Sequence, residues 1–528
     1  MGHAGKRWLR NGVAAAALAA AGATFAPAAQ AQNTLVMAVP SAPKGVDGDV
    51  WLPGTLETVI QVYEGLTEYA IVPGADGRRT LDPGNMMPHL AESWTVSPDG
   101  KTYVFKLRNA KSFRGNELTA DDVVFGYEKS VAQKRTGLFL KTVGLIETVE
   151  KVSDKEVKFT LSAPNRSFLR VLYLYTPSVY DSRVVKENAK ADDPYATQWV
   201  AQNTAGYGAY HMTENRPGEG AQFVRNPNYF GPKPFFDRVV YREVPSAANR
   251  PALVQQGVAQ WADQVPIQAI PDLMKDKRVK VEKEAGSGTA HFVMNRNFKP
   301  FDDVRVRKAM IHAMDYEAVN KTVFHGLGTR SRSNLLPGFP GYVAANTYET
   351  DYAKAKQLLT EAGYPNGLEV TLEYADNQWW EEALSIQFQQ SAANAGIKVN
   401  LKRIPNTEMN SRRGVGQRTL PFFPFLSNPF VLEPSYAYYL TLHSKGSNNA
   451  AAFYEKEFDA LIDAMVIEPD EEKYKKMVEE GQKRIAAEAL YVDTFYPGVF
   501  GVMAPCIEGW IFRPVPYVLW RDLSCKKT

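Results

Sequence analysis

The sequence predicts an α/β protein with more than one lobe, on three observations. Short apolar or alternating runs, such as 33–39 and 152–161, indicate strands, and segments with helical spacing of apolar residues, such as 55–69, lie between them. A chain of 528 residues is longer than one hydrophobic core usually supports, so two or three lobes are expected. No internal repeat or low-complexity tract favours a solenoid or a disordered chain.

The amino terminus has the composition of a secretory signal. Basic residues precede an apolar run over 13–25, and Ala29 and Ala31 supply small side chains at the two positions that signal peptidase reads. We therefore expect residues 1–31 to be a signal peptide that is removed after Ala31. The alternative is a retained membrane anchor, although the run is shorter than the ~20 residues that a membrane span needs.

The mature chain is formally neutral. The full sequence has 61 basic and 58 acidic residues, and residues 1–31 contain three of the basic residues and none of the acidic ones. The apparent basicity therefore belongs to the signal. A neutral chain provides no electrostatic argument for binding nucleic acid or an anionic membrane, so we predict no nucleic-acid partner.

Cys506 and Cys525 are the two cysteines of the sequence. In an oxidising compartment such a pair favours a disulfide, which would fix the last segment to the body of the protein and contribute ~2–4 kcal/mol. Two free thiols are the alternative. A zinc site is not expected, because two cysteines without a nearby histidine cannot complete four ligands.

The most informative segment is 105–127, FKLRNAKSFRGNELTADDVVFGY, which predicts a short strand, a turn and the start of a helix. Thr119 is a suitable N-cap, because its hydroxyl can accept a hydrogen bond from an amide of the first turn. Asp121 and Asp122 would lie at the positive end of the helix dipole. Apolar residues at helical spacing then follow, which indicates one buried face.

Further motifs follow in order along the chain. LAESW and SPDGKTY, within 90–103, predict two strands joined by a Pro-Asp-Gly turn. MNRNFKPFDDVRVRKAMIHA, at 294–313, predicts a helix with Asp302 as its cap, and Gly363 is placed to end the helix that contains LLTEAG. Shorter pieces are AGYGAY at 205–210, RNPNYF at 225–230, IKV at 397–399 and FDALI at 458–462.

Taken in this order, the motifs resemble those of the family 5 extracellular solute-binding proteins, the receptors of peptide, nickel and related ABC importers. The hallmark of that family is a strand, a glycine turn and a helix beginning lTAdDVvfsye, and the resemblance covers nearly the whole mature chain. It implies a two-lobed periplasmic binding protein type II fold with an extra subdomain. The implied division is lobe I at 32–78, 200–284 and 486–528, the extra subdomain at 79–199, and lobe II at 285–485.

The resemblance implies a periplasmic receptor without a cofactor rather than an enzyme. A small-molecule or peptide ligand would be enclosed in the cleft between the lobes and delivered by a monomer to an ABC transporter permease in the inner membrane. Peptides or a related polar organic solute are expected, with an oligosaccharide, an opine or a metal chelate as the alternative. A periplasmic chaperone and a hydrolase are the competing classes, but no Gly-x-Ser-x-Gly, Walker or zinc signature occurs.

Four segments resemble positions that line the ligand cleft in the family. Tyr207 stands where the family has Thr, and Glu433 is the candidate to replace the aspartate that holds a peptide's ammonium group. Two adjacent tryptophans, 379 and 380, cannot share one helix face, so one is expected to face the cleft and stack on a ligand. The candidate ligand-binding residues are Trp51, Leu52, Tyr207, Asn377, Gln378, Trp379, Ser427, Asn428, Glu433 and Tyr436.

The histidines predict no metal site. They are scattered, and no two of them lie at the i, i+4 spacing that places two metal ligands on one helix face. His89 lies inside the motif that matches the family's P.LAesW phrase, so we expect a structural role for it.

Overall fold

The computed structural model describes residues 33–50, 55–74, 77–173, 177–284, 288–376, 378–414, 417–428, 431–513 and 518–526, apart from the side chains of 134, 135, 138 and 379. The predicted signal peptide lies outside the described residues. Among the described helices, none combines the length and the hydropathy needed to cross a bilayer.

The described strands are, in chain order, β1 (Thr34–Val39), β2 (Thr67–Pro73), β3 (Arg79–Pro88), β4 (Ala91–Val96), β5 (Thr102–Leu107), β6 (Ile146–Ser153), β7 (Glu156–Leu161), β8 (Tyr210–Arg216), β9 (Gly220–Arg225), β10 (Arg238–Glu243), β11 (Trp261–Ala262), β12 (Lys280–Glu284), β13 (Thr289–Met294), β14 (Thr329–Arg330), β15 (Leu368–Ala375), β16 (Ile397–Ile404), β17 (Phe422–Ser427), β18 (Tyr491–Tyr496), β19 (Val499–Met503), β20 (Ile507–Glu508) and β21 (Ser524–Cys525).

The described helices are α1 (Leu56–Val62), α2 (Ala120–Ala132), α3 (Lys134–Thr142), α4 (Phe168–Val171), α5 (Ser182–Glu187), α6 (Thr197–Val200), α7 (Asn249–Gln255), α8 (Ile270–Leu273), α9 (Val304–His312), α10 (Tyr316–Thr322), α11 (Tyr352–Glu361), α12 (Trp379–Ala393), α13 (Asn406–Arg413), α14 (Pro434–Thr441), α15 (Lys456–Ile467) and α16 (Glu471–Glu488).

A seven-stranded sheet has the order β12-β19-β11-β1-β10-β9-β8. Its centre is β1, which runs parallel to both β10 and β11, while the other neighbours are antiparallel. Leu35, Ala38 and Val39 of β1 are completely buried, as expected for a central strand that is covered on both faces. The sheet therefore joins the first described strand to strands more than 200 and more than 400 residues later.

A second, four-stranded sheet has the order β14-β18-β13-β17, with every pair antiparallel. All residues of β13 and β18 are buried. A parallel pair, β15 and β16, lies nearby and is joined through α12, because parallel strands need a long crossover connection. The aromatic core between α12 and this sheet includes Phe292, Phe388 and Phe422.

A third, antiparallel sheet has the order β4-β5-β7-β6 and packs against α2. Helix α2 begins after Thr119, as predicted, and Asp122 Oδ2 accepts hydrogen bonds from the Thr119 backbone N–H at 2.8 Å and hydroxyl at 2.9 Å. The segment 152–161, predicted as one strand, instead contains the end of β6, a turn and β7. The polar residues at 154–155 form that turn rather than continuing the alternation.

Two predicted helix ends differ from the structure. The helix predicted over 55–69 ends at Val62, and the chain is extended at Tyr63. Gly65 then packs closely on a distant segment, because a Cβ atom there would be only 2.3 Å from the backbone oxygen of Leu172. The predicted cap Asp302 is also wrong by one residue. Asp303 is the N-cap of α9, and its carboxylate accepts from the N–H of Arg305 at 2.8 Å.

The strand pairing does not coincide with two of the predicted lobe boundaries. Strand β18 pairs with β13 in the four-stranded sheet, and only β19 returns to the seven-stranded sheet. The chain therefore crosses between the sheets at Pro497 and Gly498 rather than at 485. The hairpin of β2 and β3 spans the predicted boundary at 78.

The carboxy-terminal segment is closed into a loop. Cys506 and Cys525 are joined by a disulfide with Cα atoms 4.7 Å apart, and β20 pairs with β21 beside it. The loop carries Trp510 and Trp520, which are both buried. The disulfide thus fixes the segment that places Trp510 against the seven-stranded sheet.

Candidate functional site

A cavity of about 340 Å³ lies where the chain passes between the seven-stranded and the four-stranded sheets. The link from β18 to β19, Pro497 and Gly498, forms part of its wall. The described lining residues are Trp261, Asp263, Gln264, Val265, Ile267, Gly288, Phe324, Trp380, Leu426, Asn428, Pro497, Gly498, Val499, Phe500 and Trp510.

One wall of the cavity is aromatic. Trp261 of β11 is held between Met37 of β1 and Met503 of β19 by strand pairing, and its ring meets that of Trp510 edge to face, with centroids 5.7 Å apart. Trp380, in the first turn of α12, is half-buried. Large rigid rings of this kind offer apolar area and flat faces to a ligand at small cost in side-chain entropy.

A tight turn at the end of β11 carries the charged residue of the cavity. Gln264 has φ +46°, in the left-handed region, and a non-glycine residue stays there only when its surroundings hold it. Arg250 supplies that support, because its guanidinium donates to the backbone oxygens of Asp263 and Gln264, both at 2.7 Å. The arginine therefore sets the position of the Asp263 carboxyl.

The Asp263 carboxyl has an unusual acidity. Burial raises the pKa of Asp263 to about 6, the neighbouring charge of Glu57 acts in the same direction, and the Arg250 guanidinium opposes the shift. A carboxyl group poised in this way releases or binds a proton easily when a charged ligand arrives.

The opposite wall comes from the four-stranded sheet. Gly288 precedes β13 and faces the end of β17 so closely that a Cβ atom would be 2.3 Å from the backbone oxygen of Ser427. This close approach requires glycine, and it places Leu426 and Asn428 at the cavity.

Two polar atoms of the lining are buried without a hydrogen-bond partner. They are the indole N–H of Trp261, a side chain only 3 % exposed, and Oδ1 of Asn428. A buried donor or acceptor without a partner costs about 1–3 kcal/mol. A ligand that supplied one acceptor and one donor would recover this free energy.

Among the predicted site residues, the structure brings Asn428 to the cavity and places Ser427 next to it, at the end of β17. Gln378 is the half-buried residue before α12, and Trp379 begins that helix, with its side chain outside the described residues. Three further predicted residues, Trp51, Leu52 and Asn377, also lie outside the described residues.

Tyr207 lies elsewhere, in the protein interior. It is completely buried, and its hydroxyl donates to Asp122 Oδ2 at 2.9 Å. The loop around it packs tightly, because Cβ atoms on Gly206 and Gly208 would lie 2.1 and 2.5 Å from backbone atoms of Val62. The phenol therefore ties this loop to α2 and does not line the cavity, in contrast to the prediction.

Glu433 and Tyr436 are also interior residues away from the cavity. Glu433 is completely buried, forms an ion pair with Arg170 at 3.1 Å and accepts a hydrogen bond from the Tyr474 hydroxyl. Tyr436 is buried in the core, beside Phe139. The acidic group predicted to replace an ammonium-binding aspartate is thus already neutralised by an arginine of the chain.

The sequence interpretation missed Trp261, Asp263, Phe324 and Trp510. For Trp261 and Asp263 the local signal is an aromatic residue with polar residues after it at 261–264, and we found no such signal for Phe324 and Trp510. The predicted pair of tryptophans gave a better signal, because Trp380 does line the cavity.

A larger open depression of about 560 Å³ lies beside α10. Its two arginines are engaged by the protein: Arg330 donates to the backbone oxygens of Ser331 and Asp493 at 2.8 and 2.7 Å, and Arg332 pairs with Glu349 at 2.6 Å. No group of three or more potential metal-binding side chains occurs in the described part of the chain.

The fold and the cavity between two sheets define the class as an extracellular solute-binding protein. The family model "Bacterial extracellular solute-binding proteins, family 5 Middle" matches residues 85–449, so the chain belongs to family 5 of these proteins. The members of this family bind solutes for ABC importers.

Curated relatives span almost the full length of the chain. Heme-binding protein A of Haemophilus influenzae is 27% identical over 93% of this chain and 92% of its own length. The probable D,D-dipeptide-binding periplasmic protein DdpA of Escherichia coli is 28% identical, with 93% of each chain covered.

A solved structure shares the fold. The periplasmic binding protein DppA from Helicobacter pylori, in complex with the peptide STSA, superposes with a TM-score of 0.77 at 22% identity, over 94% of this chain and 98% of that one.

Proposed function

We propose that the mature protein is a periplasmic receptor that captures a peptide or a related polar organic solute in the 340 Å³ cavity. It delivers the solute to an ABC transporter permease in the inner membrane. The relatives named for dipeptides and for heme support a solute of organic character, and the cavity is large enough for a small molecule.

The observation that carries the proposal is the pair of unpartnered polar atoms, Trp261 Nε1 and Asn428 Oδ1, in a cavity with aromatic walls. The pair lies on two different sheets, so one solute that satisfies both atoms also connects the sheets. Such a solute favours the arrangement in which the sheets are close, and this difference in affinity shifts the population toward a closed state.

The protein reaches the periplasm by export. Residues 1–31 direct export and are removed, and the mature receptor acts as a monomer without catalysing a reaction. Amino-terminal sequencing of protein purified from the periplasm should begin at Gln32. An uncleaved amino terminus would instead support a membrane anchor.

The capture step is tested by native mass spectrometry of protein purified gently from the periplasm. We expect a stoichiometric small molecule, which is then released by denaturation and identified. Trp380→Leu should lose this molecule, whereas Trp199→Leu, a half-buried tryptophan of α6 away from the cavity, should retain it. Loss from both variants, or from neither, would contradict the assignment of the cavity.

The same experiment separates the alternatives. A glycan, an opine or a metal chelate would change the ligand but keep the receptor function. Conversion of an added solute into a product would indicate a hydrolase, and many unrelated unfolded chains bound at once would indicate a chaperone.

A further inference from the structure

The lining of the 340 Å³ cavity has a one-sided charge. Asp263 is the one ionisable side chain among its described lining residues, which include no lysine, arginine or histidine. The internal stretches of sequence between the described ranges also contain none of these three residue types. A carboxylate on the solute would therefore meet no basic side chain among the described lining residues.

Arg250, the cation that acts on the Asp263 carboxyl, is already engaged by the backbone. Besides Asp263 and Gln264, its guanidinium donates to the backbone oxygens of Val244 at 3.0 Å and Pro245 at 3.2 Å, and the side chain is only 3 % exposed. It supports the turn, as described above, and it is not available to a ligand.

A second carboxyl, whose pKa is also raised by burial, acts on Asp263. Glu57, in the first turn of α1, has a buried Oε2 without a hydrogen-bond partner. The ionisable groups that act on Asp263 are thus Glu57 from α1 and Arg250 from α7, with the neutral Tyr241 phenol on β10 beside them. A cation bound here would favour the charged form of both carboxyls.

The unpartnered atoms add a second requirement. The Trp261 indole N–H needs an acceptor, and Asn428 Oδ1 needs a donor. A single amide group supplies both a carbonyl oxygen and an N–H. An apolar or aromatic body would fill the space between Trp380, Phe324 and Trp510.

We propose that the cavity selects a cationic solute with an amine, an amide and an apolar body but no free carboxylate, and that its ammonium group pairs with Asp263. The inference rests on the proposed function, because it names the ligand chemistry of the same cavity. A zwitterionic peptide would pair its ammonium group equally well but would bury an uncompensated carboxylate, which is costly.

Three matched probes test this selectivity on the full-length mature protein after exhaustive dialysis, by isothermal titration calorimetry above neutral pH. They are β-alanyl-phenylalaninamide, a cation; β-alanyl-phenylalanine, a zwitterion; and N-acetyl-β-alanyl-phenylalaninamide, which is neutral. We expect the cation to bind at least about 30-fold more tightly than either of the others, the range seen when one partner of a buried charge pair is removed or added.

Variants then assign the effect to Asp263. Asp263→Asn should weaken binding of the cationic probe at least about 10-fold and leave the affinity for the neutral probe unchanged. Asp154→Asn, an exposed carboxylate paired with Lys151 on the third sheet, is the matched control and should change neither affinity. If Asp263→Asn does not fold, the three-probe comparison on the wild-type protein still decides the proposal.

Several outcomes would overturn the inference. One is that the zwitterionic probe binds as tightly as the cationic probe, or more tightly. Another is that the cationic probe shows no saturable binding. Recovery of a carboxylate-bearing natural solute that Trp380→Leu loses would overturn the inference and leave the proposed function intact. No bound solute together with no probe binding would contradict both.

Discussion

At the scale of single residues, His89 belongs to a buried charge cluster, consistent with the structural role expected for it. Its Nε2 lies 2.8 Å from Glu64 Oε2 and its Nδ1 lies 3.1 Å from Glu68 Oε2. Arg521, near the carboxy terminus, pairs with the same two glutamates. Burial disfavours the charged imidazole, but the two carboxylates outweigh it and raise the pKa of His89 above its usual value of 6.5.

We expect His89→Gln to lower the free energy of unfolding in a pH-dependent way. A raised native pKa means that the folded state holds the proton more tightly, so the contribution is complete below about pH 6.5 and declines as the pH rises through the native pKa. Urea unfolding of both proteins from about pH 5 to about pH 9 measures the difference. A difference that grows with pH would contradict this account.

Glu433 should matter for stability rather than for binding. Removing one member of a buried ion pair leaves an uncompensated charge on the other, so Glu433→Ala should lower the free energy of unfolding by about 3–5 kcal/mol. The remaining folded protein should bind its solute as the wild type does. Asn428→Ala is the comparison, with little loss of stability and a clear loss of binding. The reverse pattern would restore Glu433 as a ligand residue.

At the scale of elements, the contact between β13 and β17 positions one wall of the cavity. We expect Gly288→Ala to displace Ser427 and Asn428 and to weaken solute binding. As in other overpacked sites, it should lower the free energy of unfolding by about 1–3 kcal/mol. Gly84→Ala is a matched control, because a Cβ atom there meets only a flexible side-chain oxygen of Asp82, 3.1 Å away. Unfolding and calorimetry measure both variants, and equal effects would refute the role of this contact.

The disulfide loop is a second element with a link to the cavity. Cys506→Ser combined with Cys525→Ser should lower the free energy of unfolding by about 2–4 kcal/mol. It should also weaken solute binding, because Trp510 lies inside the closed loop. Calorimetry of the variant tests the link. Reduced stability with unchanged solute affinity would mean that Trp510 is positioned by the sheet alone.

Elements with a strong local signal were predictable. The start of α2 followed from Thr119 and its two aspartates, and β1 followed from its apolar run. The error at 152–161 arose because the two-residue turn lies between the end of one strand and the start of the next. The sequence pattern across the turn looks the same as that of one continuous strand. The end of α1 depends on contact with Leu172, more than 100 residues away, which no local pattern contains.

At the scale of the whole molecule, the cavity depends on contacts that are remote in sequence. Trp261, Trp380, Asn428 and Trp510 come from four separate parts of the chain, and only pairing within and between sheets brings them together. The family resemblance predicted the receptor class correctly. It predicted Asn428 but not Trp261 or Trp510. Tyr207 and Glu433, at positions that resemble the family's cleft, instead bind Asp122 and Arg170 of the same chain.

Both described glycines at the crossings, Gly288 and Gly498, line the cavity. In the proposed site a solute would lie beside two links between the seven-stranded and the four-stranded sheets, so its binding would be coupled to their relative arrangement.

The central claim is that solute binds in the 340 Å³ cavity. A crystal structure of the mature protein, purified with its solute, tests it most directly. The account predicts solute density beside Trp261, Trp380 and Asn428. Density instead in the open depression at Arg330, or beside Glu433, would contradict it.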